Sequence, residues 1–186
     1  GSPVLYYGDE IGMGDNIWLP DRDGVRTPMQ WTSEIPGAGF SEANPYLFNK
    51  PIPCAPPFGA QEVNVADQQA NPESLLNWLR HALAQRRKHE VFGVGEYREL
   101  ECPESVLAFE RVQGSTRVLC LNNLTAWPQS VEVDLPGLDG RTPAVLSGTI
   151  PEAPQVGGDS YRIELPPYGY AWLLFTDPPA EEGGAS

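Results

Sequence analysis

Asp21, Arg22, Asp23, Arg26 and Gln30 crowd into one short segment, DRDGVRTPMQW, and Asp9, Glu10 and Asp15 stand just ahead of it. Carboxylates interleaved with guanidinium groups can bind a polar ligand, pair with one another, or transfer protons. Which of these they do depends on where the backbone holds them. Pro3-Val4-Leu5-Tyr6-Tyr7 is apolar on consecutive positions, the pattern of a strand buried on both faces of a parallel sheet. Gly8 to Asp15, GDEIGMGD, cannot easily continue that strand and predicts an elbow. Parallel strands in barrels deliver functional side chains at their C-terminal ends. The charged segment follows such a strand directly, which makes it the place to look for chemistry.

The remaining elements supply walls and support. Residues 32–71 are rich in Pro, Gly and Asn without periodicity, yet Phe40, Tyr46, Phe48, Phe58 and Val63 are scattered through them. An ordered pocket wall is expected there, with a purely structural excursion as the alternative. A helix is predicted over 72–89, with Asn71 as N-cap, Pro72 at the first position and an apolar stripe of Leu75, Leu76, Leu79, Ala82 and Leu83. Arg86-Arg87-Lys88-His89 suits its C-terminal dipole, and Trp78 is expected to pack. His81 and His89 have no Cys or carboxylate at ligand spacing and are expected to be solvated. From Gly95 the pattern turns to short alternating runs broken by turn signals. Strands are expected at 97–100, 106–112, 116–122, 129–134, 144–146, 161–165 and 171–175. They predict an antiparallel β-sandwich over 95–175, after a first domain of residues 1–94. Residues 176–186, TDPPAEEGGAS, predict a tail or linker.

The 186 residues carry a formal charge of −13, which argues against nucleic acid or an anionic membrane surface as partner. Cys54, Cys102 and Cys120 form an odd set without metal spacing, as expected for free thiols in a reducing, cytoplasmic setting. No apolar run approaches the roughly 20 residues of a membrane span, and residues 1–20 lack a signal peptide's basic start. The chain lacks an initial Met and opens in a buried-type strand, so a fragment of a longer protein is expected.

GSPVLYYGDEIGMGDN resembles the eighth strand and following turn of the α-amylase superfamily, glycoside hydrolase family 13. The RTPMQW segment after an Arg-Asp pair is similar to its α-glucosidase, oligo-1,6-glucosidase, sucrose isomerase and trehalose synthase branch. Within that branch, GDEIGMGDNIWLPDRDGVRTPMQWT, AGFS and VNVADQQANPESLLNWLR look most like the trehalose synthase group. RRKHEVFGVG and LPPYGYAWLLF fit that group too, so the resemblance spans nearly the whole chain.

The resemblance implies the final strand and helix of a (β/α)8 barrel followed by a C-terminal β domain, an α/β plus all-β chain. It implies interconversion of maltose and trehalose by retaining intramolecular transglucosylation. The catalytic carboxylates would lie on earlier strands, so none maps here and this segment alone is expected to be inactive. Asp9, Glu10 and Asp15 become structural groups. By similarity, Arg22 would stand at the pocket floor with Asp21 or Asp23 beside it. Arg26 and Gln30 would orient the second sugar or brace the loop, Asp23–Arg26 pairing being the plainer alternative. Trp18, Trp31 and Phe40 could stack on sugar faces. No cofactor or metal is expected of this segment. The family allows calcium in a longer protein, and a homo-oligomer or maltokinase partner. The alternatives are an α-glucosidase or sucrose isomerase of the same branch, and a non-catalytic carbohydrate-binding β module using Tyr168, Tyr170 and Trp172.

Overall fold

The computed structural model describes residues 2–176, and the expected tail of 176–186 lies almost wholly outside them. The chain divides into two compact units, Gly1–Ala84 and Gln85 onward, a division that falls inside a helix.

The second unit holds seven antiparallel strands at the positions the alternation predicts. They are β1 (Glu96–Glu99), β2 (Val106–Gln113), β3 (Thr116–Asn123), β4 (Gln129–Asp134), β5 (Ala144–Gly148), β6 (Ser160–Leu165) and β7 (Tyr170–Phe175). One sheet runs β1-β2-β3-β7-β5 and the other pairs β4 with β6. Inward residues of both sheets, among them Val106, Leu119, Val131, Tyr161, Ile163 and Leu173, make the core. The outer face of the larger sheet is covered as well. Val91 and Phe92, from the short helix α3 (Val91–Val94), bury Val118 and Cys120 there, with Trp172 alongside. Covering on both faces explains why Val118 to Leu121 are buried without a break. It also pushes the Cys120 thiol up to about 12, leaving it an inert apolar filler.

Two polar side chains inside this unit have structural work. Asn123 donates from Nδ2 to the carbonyls of Trp127 (2.7 Å) and Pro166 (2.8 Å), while its Oδ1 accepts from Thr125 N. It thereby joins the turn after β3 to the turn before β7. Glu110 is buried on β2, with Arg117 3.8 Å away as its ion partner. Burial holds its carboxyl above the usual range, against the opposing pull of Arg117 and Arg98.

The first unit is built from loops and helices. Residues 2–6 join no strand, and Val4 is 92% exposed, so the expected opening strand does not form. A strand exists only by pairing, and none of the described residues pairs with this stretch. The elbow forms as expected: Gly8 (φ 95°) and Gly12 (φ 70°) bracket the 3-10 turn Asp9–Ile11 in left-handed conformations that favour glycine. Ile11 buries against Met29 and Leu76, flanked by Met13, Val63 and Val65.

The main helix α2 (Leu75–Lys88) starts later than predicted. Ser74, not Asn71, caps it, its Oγ accepting from Asn77 N at 3.2 Å, while Asn71 accepts from Glu73 N in a local turn. Ahead of it stands a helix the sequence reading missed, α1 (Val65–Ala70). Buried Asn64 caps α1 by accepting from Asp67 N at 2.8 Å and donates to Ala60 O at 3.0 Å. Six residues are too few to show a period, so the cap is the signal that could have found it. His81 is exposed as expected, whereas His89 is half-buried, its Nε2 lacks a hydrogen-bond partner, and burial draws its pKa down.

Asn123→Ala removes a buried side chain that donates to two turn carbonyls and should destabilise the second unit by about 1–3 kcal/mol in urea unfolding. Glu110→Gln tests the raised carboxyl. Because the folded pKa lies above the unfolded one, wild-type stability falls as pH rises between the two. The glutamine variant should therefore gain on wild type through that window, as read from unfolding midpoints across a pH series. Parallel pH profiles would contradict it.

Candidate functional site

The charged segment forms a second 3-10 turn, Asp23–Arg26, directly after the elbow. Asn16 N donates to Gly24 O at 3.2 Å, and a Cβ on Gly24 would collide with the Asp15 carboxylate and the Asn16 carbonyl. Only glycine permits so close an approach, so Asp15 serves packing. Asp9 and Glu10 are also committed to the backbone: Asp9 Oδ2 accepts from Tyr6 N (2.9 Å) and Glu10 Oε2 from Gly8 N (2.8 Å).

From this turn to Asn64 the chain makes the expected ordered excursion, and Gln30 holds it. Gln30 is fully buried, and its Nε2 donates to the carbonyls of Phe58 (3.1 Å) and Val63 (2.6 Å). Two backbone bonds continue the seam, Val65 N to Gln30 O and Ala66 N to Trp31 O, both at 3.0 Å. The ring of Phe58 rests on Gly14, where a Cβ would intrude.

Between the turn and the excursion lies a cavity of about 620 Å³. Trp31, Phe40 and Phe48 give it aromatic walls, and the last two meet edge to face at 5.7 Å. Its charged lining balances, Glu10 and Asp23 against Arg26 and Lys50. Lys50 Nζ lies 2.7 Å from Asp23 Oδ2. Tyr7 donates its hydroxyl to Thr27 O at 2.9 Å, and burial, with Tyr6 beside it, pushes the phenol up, so it stays protonated. Thr27, 1% exposed, also lines the cavity, and its own hydroxyl has no hydrogen-bond partner.

The residues singled out in the sequence thus separate. Asp23 and Arg26 line the cavity, and Asp23 pairs with Lys50 rather than with Arg26. Gln30 braces the loop from within the core. Asp21 and Arg22 are not at a cavity floor: they pair with each other at 3.4 Å on the surface, more than two-thirds and three-quarters exposed in the order Arg22, Asp21. The left-handed φ of 52° at Asp21 turns the chain there. Trp31 and Phe40 reach the cavity, whereas Trp18 is 88% exposed and borders a separate hollow beside Phe58. Lys50 was missed. Its signal was its isolation, since it is the one Lys or Arg between Arg26 and Arg80. Among the described residues no group of three or more His, Cys, Asp or Glu could hold a metal ion, and no helix is long and apolar enough to cross a membrane.

Along the chain a charged loop and its wall are followed by a seven-stranded β unit, an order that agrees with an α-amylase-type chain. The sequence matches the alpha amylase catalytic domain over residues 1–95 and the maltogenic amylase C-terminal domain over 97–172, and the chain belongs to the α-amylase family. It is 48% identical over 183 residues to the trehalose synthase of Pimelobacter sp. (strain R48), covering 96% of this chain and 32% of that protein. It is 50% identical over 181 residues to the trehalose synthase/amylase of Mycobacterium tuberculosis, covering 95% and 30%. The chain therefore spans about a third of the length of these relatives. Among solved structures, isomaltulose synthase from Klebsiella sp. LX3 is similar at a TM-score of 0.62 and 26% identity, covering 86% of this chain and 27% of that one.

Gln30→Ala would leave the Phe58 and Val63 carbonyls without their donor and open a void in the seam. A loss of about 2–4 kcal/mol is expected in urea unfolding followed by tryptophan fluorescence. A loss below about 0.5 kcal/mol would remove Gln30 from its bracing role.

Proposed function

We propose that this chain is the C-terminal part of an enzyme that interconverts maltose and trehalose by intramolecular transglucosylation with retention. The observation that carries the reading is the 48–50% identity, across nearly all of the chain, to proteins named trehalose synthase. The cavity supports it. Aromatic walls and cancelling charges suit a neutral, hydroxyl-rich ligand better than an ionic one. The Arg26 guanidinium is a group that sugar hydroxyls would satisfy.

In such a reaction a carboxylate attacks the anomeric carbon as the bond between the two glucose units breaks. A carboxylic acid about 5 Å away gives its proton to the departing glucose oxygen. That glucose then turns and attacks through its anomeric hydroxyl, returning the proton and releasing the nucleophile. Asp9 and Glu10 are engaged with backbone amides and Asp15 with packing, so we assign none of these bond-making roles to this chain. Asp23 and Arg26 are assigned to positioning the sugar, with Trp31 and Phe40 as apolar surfaces. Taken alone, the chain is proposed to be inactive, and the three free cysteines favour a cytoplasmic setting.

Hydrolysis of maltose is the second reading, favoured by the word amylase in the mycobacterial relative's name. Product analysis decides between them. The complete protein carrying this chain, given maltose, is expected to yield trehalose as the main product. Glucose without trehalose would replace isomerisation with hydrolysis. Turnover of maltose by these 186 residues alone would overturn the assignment of chemistry outside them.

A further inference from the structure

We propose that Lys50 is a positioning residue that latches the excursion onto the cavity through Asp23 and thereby keeps water from the reacting sugar. The proposal rests on the glucosyl-transfer reading above and names a device that serves it.

Residues 41–57 carry little that could hold them in place. Their hydrogen bonds are local ones, such as the cap of Asn44 on the turn Pro45–Leu47 and the bond from Phe48 N to Pro45 O. Among the described residues no hydrogen bond joins residues 41–57 to residues 15–31. The ion pair between Lys50 Nζ and Asp23 Oδ2, at 2.7 Å, is the polar tie across that gap. The two side chains are 18% and 33% exposed, so the pair is partly shielded from solvent and salt. Both residues line the cavity, as do Phe48 and Asn49 beside Lys50. Position 50 thus controls whether the aromatic wall at Phe48 and Phe40 stays closed against the turn that bears Asp23 and Arg26. A transferase of this type must outcompete hydrolysis, because water and the retained glucose compete for one intermediate. Opening the wall admits water, so loss of the latch changes the partition between products and not only the rate.

Two measurements test this. In the complete protein, Lys50→Met should raise the glucose share of the products from maltose, by up to about fivefold for a partly exposed ion pair. Lys50→Arg, which keeps the charge, should retain the wild-type share. In the 186-residue chain, protease nicking between residues 41 and 57 should be faster in Lys50→Met and return to the wild-type rate in Lys50→Arg. Faster nicking with an unchanged product ratio would remove water exclusion from the role of Lys50. Unchanged nicking in Lys50→Met would remove the latch itself. If the complete wild-type protein makes no trehalose, the glucosyl-transfer reading fails, and the nicking rates still decide whether the latch exists.

Discussion

The hydrogen bonds of the buried Gln30 amide are what the shape of the first unit depends on. The excursion from Thr32 to Asn64 contains no strand and one 3-10 turn, Pro45–Leu47, so it has almost no regular backbone pairing with which to hold a form. Gln30 brings its two ends together, because it sits just before the excursion and donates to Phe58 and Val63 near its close. Loop closure costs entropy that grows only slowly with length, so a few well-buried bonds at the neck can fix a long loop. With the neck closed, Phe40 and Phe48 lie over the turn of residues 23–26, while Tyr46 stays exposed. The cavity is the space left between them.

Charge is divided along the same lines. The three acids of the elbow, which the sequence offers as candidate catalysts, are spent on making the elbow itself. Asp9 and Glu10 satisfy amides that the 3-10 turn leaves without partners, and Asp15 is pressed against Gly24. The charged groups that line the cavity are Glu10 at the edge of the elbow, Asp23 and Arg26 from the next turn, and Lys50, which is paired with Asp23. An acid that caps a turn is rigid, and its lone pairs point at the backbone. Such an acid helps a site by fixing the segment that carries the functional groups.

The legibility of this molecule in its sequence follows the range of the forces involved. The seven strands of the second unit were legible because alternation records which residues face a core, and turn residues such as Asp139-Gly140 and Gly157-Gly158 mark the breaks. Their sheet order was not, since β7 lies between β3 and β5 through contacts remote in sequence. In the first unit the elbow was legible from its glycines, whereas the stretch Pro3–Tyr7 has a strand's composition and no strand. Composition reports a preference for burial, and pairing has to come from elsewhere. Around the cavity, Asp23 and Arg26 stand in the lining, within the segment whose residue types and spacing single it out. Arg22 stands at the surface beside Asp21, whose left-handed φ of 52° is a local backbone choice that no spacing rule carries. Lys50 was missed because its partner lies in another part of the chain.

The second unit shows why the non-catalytic reading of residues 95–175 is the weaker one. Tyr170 and Trp172 were candidates for a sugar platform, but they stand half-buried on the outer face of the larger sheet. Trp172 packs on Phe92 at 5.4 Å and on Tyr170 at 6.2 Å, while Tyr170 shares a hydrogen bond with Ser147 at 2.9 Å. A ring that already has partners on its faces gains little from a sugar, because stacking replaces contacts instead of adding them. Of the three aromatics only Tyr168 is left well exposed, and one ring makes a poor platform. In the first unit, by contrast, Trp31 and Phe40 remain about half exposed at a cavity that also holds charged groups. Aromatic surface gives affinity for a sugar, but orientation requires polar groups converging on the same space, and among the described residues the cavity of the first unit brings the two together.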